Sequence, residues 1–180
     1  MAASCQAAGP SYTTSGDVNN EPYAINSDDL LATHMLSVDI APPVVRELLQ
    51  NGTKRQRVSE LLSQISPNVR LWEDDAVSSL VAAEELWDAL NEISGIGWVV
   101  AGKILARKRP HLIPIADDRV WEYFKPEKGL FWETLRGVLR QDGLSAQIEA
   151  DLRIPMLQTS EMRDKISTLR LLDIAIWMKG

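Results

Sequence analysis

Apolar residues recur at helical spacing along most of the chain, and this pattern constrains the fold more than any other feature. Between Ser78 and Ile93, apolar side chains occupy one broad face while acidic side chains follow the other. Pairs that stop helices separate such segments, for example Asn51-Gly52, Ser66-Pro67 and Asp142-Gly143. No segment alternates apolar and polar residues in the way that a half-buried strand does. The sequence therefore predicts an all-α fold.

The first 26 residues differ in composition from the rest of the chain. They are rich in Ala, Ser, Gly, Thr and Asn and contain few large apolar side chains. Such a segment cannot bury enough surface to offset the entropy of ordering. We expect residues 1–26 to form a flexible tail that contributes little to folding, and residues 27–180 to form one compact helical domain.

Charge and cysteine content exclude several classes of protein. The chain has 19 Lys+Arg against 25 Asp+Glu, a net charge of −6, so any binding to nucleic acid must depend on a local patch. The single cysteine, Cys5, excludes a disulfide framework and a four-cysteine metal site within the chain. His34 and His111 have no second ligand at metal spacing, so we expect no metal and no other cofactor. Without a signal peptide or a membrane-spanning run, we expect a cytoplasmic protein with no membrane contact.

A glycine turn, Gly95-Ile96-Gly97, joins two predicted helices. Its glycines remove the Cβ atoms that would block close approach, and the amides that begin the next helix carry the positive end of the helix dipole. A phosphate oxygen can bind at such a turn. A glycine turn is also a common tight connection between helices, so both interpretations stay open at this point.

The stretch ISGIGWVVAGKILARKRPHLIPIADDRVWEYF, residues 93–124, resembles a motif of the helix-hairpin-helix DNA glycosylase superfamily. The matching positions are Gly95-Ile96-Gly97, Ala101, Leu105, Pro114-Ile115 and Asp117. The resemblance implies that the amides of Gly95, Ile96 and Gly97 bind a backbone phosphate and that Asp117 serves a flipped-out nucleotide as the catalytic residue. Over residues 27–180 the chain also resembles a bacterial family of unknown function, which implies no activity.

Two positions depart from the glycosylase motif. Val99 stands where bifunctional members carry the lysine that forms a Schiff base, and Ser94 stands where a proline usually precedes the first glycine. The resemblance therefore implies a monofunctional enzyme that hydrolyses the N-glycosidic bond without lyase chemistry. Asp117 would stabilise the positive charge that develops on the sugar, or orient water. Either Asp117 or Asp118 can instead cap the helix that follows.

Several cations near the turn are candidates for contacts to DNA phosphates. Arg107 to Arg109 also occupy a predicted helix C-terminus, where cations complement the helix dipole, so a structural role is the alternative. The segment between Leu71 and Gly102 contains many acidic residues and no Lys or Arg, and it would repel a duplex that it faced. The candidate DNA contacts are Lys103, Arg107, Lys108, Arg109 and Arg119.

Aromatic residues close to the turn and to the aspartate pair are candidates for the walls of a base pocket. Trp98 follows the turn, and Trp121 and Tyr123 follow Asp118. Core packing is the alternative for each of them. Trp87 and Trp177 fall on apolar helical faces, and we expect both in the core.

Two functions are compatible with these patterns. The first is a helix-hairpin-helix protein that binds DNA weakly through the turn and a local basic patch, and resembles a monofunctional DNA glycosylase. The second is a non-catalytic helical scaffold that retains the same core for stability and binds a protein partner through its acidic face.

Overall fold

The computed structural model describes residues 21–50, 52–116, 118–141, 143–153 and 166–179. All regular secondary structure in these ranges is helical, which confirms the predicted all-α class. None of the helices described is long and apolar enough to cross a membrane. In chain order the elements are α1 (Ser27–His34), α2 (Pro42–Leu49), α3 (Thr53–Ser63), α4 (Ala76–Asn91), α5 (Trp98–Lys108), α6 (Asp118–Phe124), α7 (Phe131–Leu139), α8 (Leu144–Ile148), a π-helical turn (Glu149–Arg153) and α9 (Thr168–Lys179).

Local sequence signals set several of the helix boundaries. The side chain of Asn26 accepts a hydrogen bond from the Asp29 amide, and the Asp29 carboxylate accepts one from the Asn26 amide. This capping box makes Asn26 the N-cap and Ser27 the first residue of α1. Pro42 opens α2, where a missing amide costs no helical hydrogen bond.

One large apolar core connects α1 to α5 and extends to α7 and α9. A second, smaller cluster joins α6, α7 and α9 through Val120, Phe131 and Ile176. Trp121 and Trp132 pack against this second cluster while remaining partly exposed. The second cluster thus supports an aromatic surface that faces the loop between α5 and α6.

Residues 21–26, which the sequence assigned to the tail, pack onto the helical domain. Ile25 is buried in the core. The carbonyl oxygen of Glu21 accepts a hydrogen bond from Lys108 at 2.6 Å, and that of Pro22 accepts one from Arg109 at 2.8 Å. The packed domain therefore includes residues 21–26, because this segment supplies acceptors for two cations inside the protein. Residues 1–20 of the predicted tail lie outside the described residues.

Candidate functional site

The turn between α4 and α5, residues 92–97, is called the hairpin below. Gly95 has a φ of 97°, and a Cβ atom at this position would lie 3.0 Å from Cγ2 of Val44 in α2. Glycine is therefore required at Gly95 both for the backbone conformation and for the approach of the hairpin to α2. Gly97 has an extended backbone, and a Cβ atom there would meet nothing within 4 Å.

The start of α5 presents backbone amides at the surface of the hairpin. The Ala101 amide makes the first hydrogen bond within the helix, to the Gly97 carbonyl at 3.0 Å, and no side chain of the N-cap residue covers this end. The amides between these two residues have no acceptor within the helix, as at any helix N-terminus. Ile96 differs, since its amide donates to the Ile93 carbonyl at 2.9 Å and its side chain is buried. The predicted phosphate contact by the Ile96 amide is corrected accordingly, while the contacts by Gly95 and Gly97 stay predictions.

A cleft of about 800 Å³ lies beside the hairpin. Trp98 and Gly102 bring the first turn of α5 to its wall, and Ala116 and Asp118 line it from the loop before α6. These last two residues are the chain neighbours of Asp117, which itself lies outside the described residues. The lining residues are Glu84, Trp87, Asp88, Trp98, Gly102, Pro114, Ala116, Asp118, Trp121, Glu122, Lys128, Gly129, Phe131 and Trp132.

Aromatic rings form much of the cleft wall. Trp121 stacks on Phe131 with ring centres 5.5 Å apart and planes 17° apart, and Trp98 meets Trp121 edge to face at 6.4 Å. The indole N–H of Trp87 donates to the Trp98 carbonyl at 3.4 Å. Trp98 and Trp121, both predicted for a base pocket, therefore meet in one site. Tyr123, the third residue predicted for the base pocket, does not line the cleft and is 54% exposed.

The sequence did not predict the part of the cleft wall that comes from the start of α7 and the loop before it. Lys128, Gly129, Phe131 and Trp132 line the cleft because α7 packs beside α6. Nothing in the local sequence connects this segment to the hairpin, since the two are brought together only by helix packing. The adjacent aromatic pair Phe131-Trp132, directly after a glycine loop, is the one local signal that could have drawn attention to it.

Carboxylates outnumber cations around the cleft. Glu84 and Asp88 lie one turn apart on α4, and Asp118 and Glu122 lie one turn apart on α6. Lys128 is the only cation among the lining residues. Burial raises the pKa of Glu84, and two neighbouring carboxylates raise it further. The lining of the cleft therefore favours positively charged ligands over anionic ones.

Two lysines predicted to contact DNA are buried in the protein. The Lys103 ammonium donates to the Leu36 carbonyl at 2.6 Å. The Lys108 ammonium donates to the Asp29 carboxylate at 2.8 Å, and both of these side chains are 1% exposed. Burial lowers the pKa of Lys108, although the hydrogen bond to Asp29 opposes this shift. These lysines stabilise the contacts of α5 with α1 and the segment after it, so their prediction as phosphate contacts is corrected.

Arg109 is also buried, and its guanidinium donates to the carbonyls of Leu62, Ile65 and Pro22. It thereby adds a donor to the Leu62 carbonyl, which also accepts from the Ile65 amide, and supplies one to the Ile65 carbonyl just beyond α3. Burial lowers the pKa of Arg109 to about 10. Arg107 lies 3.3 Å from the Asp29 carboxylate and is largely buried. Among the five cations predicted to contact DNA, all of them in the described ranges, only Arg119 is exposed.

Comparison with known proteins adds a family but no activity. The model of the family of unknown function DUF6308 matches residues 5–180. The chain belongs to DUF6308. No curated protein and no solved structure matches it. The DUF6308 match spans the hairpin, the cleft and α9, and assigns no role to any of them. Within the described part of this DUF6308 chain, no group of three or more His, Cys, Asp or Glu residues is placed to hold a metal ion.

Proposed function

We propose that the protein binds DNA through the hairpin and hydrolyses the N-glycosidic bond of a nucleotide that is flipped into the aromatic cleft. The position of the cleft is the observation that supports this proposal most. Its wall includes Trp98, the first residue of the helix after the hairpin, and both chain neighbours of Asp117. A phosphate held by the amides that follow Gly97 would leave the adjacent nucleotide near the mouth of the cleft.

The size and walls of the cleft suit a nucleobase. Its volume of about 800 Å³ lies within the usual range for sites that bind small molecules. Flipped bases are held between aromatic or apolar side chains, and Trp98, Trp121 and Phe131 provide such surfaces. Trp121 rests on Phe131 and the second apolar cluster, so its ring is held in place before a base arrives.

The proposed chemistry assigns one role to Asp117. Breaking the N-glycosidic bond places positive charge on the sugar, and a carboxylate close to the sugar stabilises that charge most where solvent screening is reduced. Water then completes the hydrolysis. Val99 occupies the position of the lysine nucleophile in bifunctional glycosylases, so no covalent intermediate and no strand cleavage are proposed.

The charge of the cleft favours a base that is itself positively charged. Four carboxylates and several tryptophans surround the space, and both groups attract a planar cation. A purine that is alkylated at the ring nitrogen N3 or N7 is such a cation. It also leaves as a neutral molecule when the glycosidic bond breaks, which makes it a better leaving group than an unmodified purine.

A base-release assay tests the enzymatic proposal. We expect the wild-type protein to release an N-alkylated purine from a duplex, detected by chromatography, and to leave the strand uncut. Asp117→Asn should abolish release, because the carboxylate acts on the transition state, while duplex affinity is kept. Glu60→Gln removes an exposed carboxylate of α3 that does not line the cleft, and serves as the control. If the wild type releases neither charged nor neutral modified bases, the enzymatic proposal fails.

Binding by the hairpin is tested separately with Gly97→Leu. The new side chain meets no protein atom within 4 Å of its Cβ and stands beside the amides of α5. We expect weaker binding to a duplex with an unchanged helical circular dichroism spectrum. The salt dependence of wild-type binding should be shallow, equivalent to about two to four released counterions, because few cations are exposed near the hairpin.

A non-catalytic scaffold is the second candidate function. The observation that favours it is that Lys103, Lys108 and Arg109 are buried while Glu84 and Asp88 face the cleft. A basic segment of a protein partner could then place a lysine or arginine between the tryptophans. Titration with a lysine-rich peptide distinguishes the candidates: peptide binding that is lost in Glu84→Gln, together with no binding to DNA, would favour the scaffold.

A further inference from the structure

A second group of aromatic and cationic side chains lies on a different face of α6 from the cleft. The Arg119 guanidinium carbon is 4.2 Å from the centre of the Trp177 ring, and the Lys179 ammonium is 5.6 Å from the centre of the Tyr123 ring. Trp177 is 47% exposed and Tyr123 is 54% exposed. Neighbouring helices α6 and α9 thus present two rings and two cations on one surface, which we call the α6–α9 surface.

The cations of this surface are placed to bind an anion from solution. Arg119 uses the face of its guanidinium against Trp177, and its only described hydrogen bond is a long one, 3.4 Å, to the Trp177 carbonyl. The N–H groups at the edge of the guanidinium are therefore largely available to a phosphate oxygen. Arg170 lies two turns before Trp177 in α9. Its guanidinium is less available to a phosphate, because it pairs with the Asp173 carboxylate.

The combination of rings and cations identifies the kind of partner. Exposed rings on which bases stack, next to cations that contact phosphates, are the features with which proteins bind single-stranded nucleic acid. An acidic peptide would use the cations but not the rings, and a duplex keeps the faces of its bases stacked inside. The chain as a whole has a net charge of −6, so two cations beside two exposed rings are a local feature that the overall composition does not explain.

We propose that Arg119, Tyr123, Trp177 and Lys179 form a contact surface for a single-stranded segment of DNA. The two cations contact phosphates, and a base stacks on the exposed part of the Trp177 or Tyr123 ring. The same helix, α6, also carries Trp121 in the cleft wall. The choice of DNA rests on the proposed function, whereas the choice of a single strand rests on the rings.

Fluorescence anisotropy with a labelled oligothymidylate, and with a duplex of equal length, tests the proposal at low salt. We expect tighter binding of the single strand than of the duplex. Arg119→Gln and Trp177→Leu should each weaken single-strand binding by about fivefold or more, since losing one stacked base or phosphate contact has at least this effect. Arg70→Gln is the matched control, because Arg70 is also exposed and lies 5.8 Å from the centre of a tryptophan ring, that of Trp72.

Several results would overturn the proposal. One is the absence of single-strand binding by the wild type, and another is an equal loss in Arg70→Gln, which would indicate a general charge effect. Equal binding of poly-glutamate would show that the rings have no role. Failure of this proposal is distinct from failure of the proposed function: base release without single-strand binding refutes only the α6–α9 surface, and single-strand binding without base release refutes only the enzyme.

Discussion

Gly95 and Gly97 occupy similar places in the sequence, but the structure gives them different requirements. Gly95 has a left-handed backbone and lies against Val44, so a side chain there is both strained and crowded. Gly97 has an extended backbone that other residues adopt readily, and the space around it is open. The stability of the fold therefore depends on glycine at position 95. At position 97, glycine instead keeps the amides of α5 accessible to a ligand.

We expect Gly95→Ala to lower the free energy of unfolding by about 1–2 kcal/mol, because an alanine in the left-handed conformation is strained and its Cβ meets Val44. Gly97→Ala should lower the free energy of unfolding by less, about 1 kcal/mol at most, because alanine is a poorer N-cap than glycine. Urea unfolding followed by circular dichroism measures both. Equal losses at the two positions would show that the Gly95 backbone conformation does not require glycine.

Helix α5 is the element that connects most parts of this fold. Its C-terminal cations contact α1 through Asp29, the end of α3 through the carbonyls of Leu62 and Ile65, and the segment before α1 through Glu21 and Pro22. Charges are costly to bury unless they are paired or hydrogen-bonded; Lys108 is paired with Asp29, and Arg109 is held by hydrogen bonds to carbonyl oxygens. The position of α5, and with it that of the hairpin and Trp98, therefore depends on a buried polar cluster.

Asp29→Asn should lower the free energy of unfolding by about 3 kcal/mol or more, because it leaves the Lys108 charge buried without its counter-charge. Adding Lys108→Met should recover part of this loss, since both partners are then neutral. Urea unfolding of the two single variants and the double variant measures the coupling between them.

The control for the buried pair is a solvent-exposed pair in the same chain. Arg140 lies 2.7 Å from the Asp74 carboxylate, which is 92% exposed. Arg140 holds the pKa of Asp74 below its usual value, yet solvent screens such an exposed pair, so Asp74→Asn should have little effect on the free energy of unfolding. If Asp29→Asn and Asp74→Asn have equal effects, the buried pair does not stabilise the position of α5.

The molecule as a whole is a helical domain whose first described residues close over the C-terminus of α5. The segment 21–26 contributes Ile25 to the core, two carbonyl acceptors and the cap of α1. Residues 1–26 have the composition of a flexible tail, yet residues 21–26 stabilise the packed domain. This also places the N-terminal segment on the same cluster of cations that the sequence predicted for DNA.

We expect a chain that begins at Glu21, after an added methionine, to be about as stable as the full chain, as predicted for a tail. A chain that begins at Asn26 should be less stable by about 2 kcal/mol or more, because it loses the buried Ile25 side chain and two hydrogen bonds to buried cations. Urea unfolding of the three chains measures this. Equal stability of the two shortened chains would show that residues 21–25 do not stabilise the domain.

The sequence by itself determined the features that depend on local interactions. Helical spacing predicted the all-α class, and the glycine turn marked the connection between α4 and α5 because glycine acts on its own backbone. Trp98 and Trp121, both candidates for a base pocket, contact each other edge to face, while their role in binding a base stays a prediction. The predicted roles of Asp117 in catalysis and of the hairpin in DNA binding stay predictions.

Tertiary structure alone decided which side chains are buried. A basic residue at a helix C-terminus has the same sequence pattern whether it faces solvent or the carbonyls of another helix, so the burial of Lys108 and Arg109 had no local signal. An aromatic residue on an apolar helical face likewise leaves open whether a neighbour covers it. Trp177, predicted for the core, is half exposed beside Arg119, and Trp132 meets the hairpin cleft only because α7 packs beside α6.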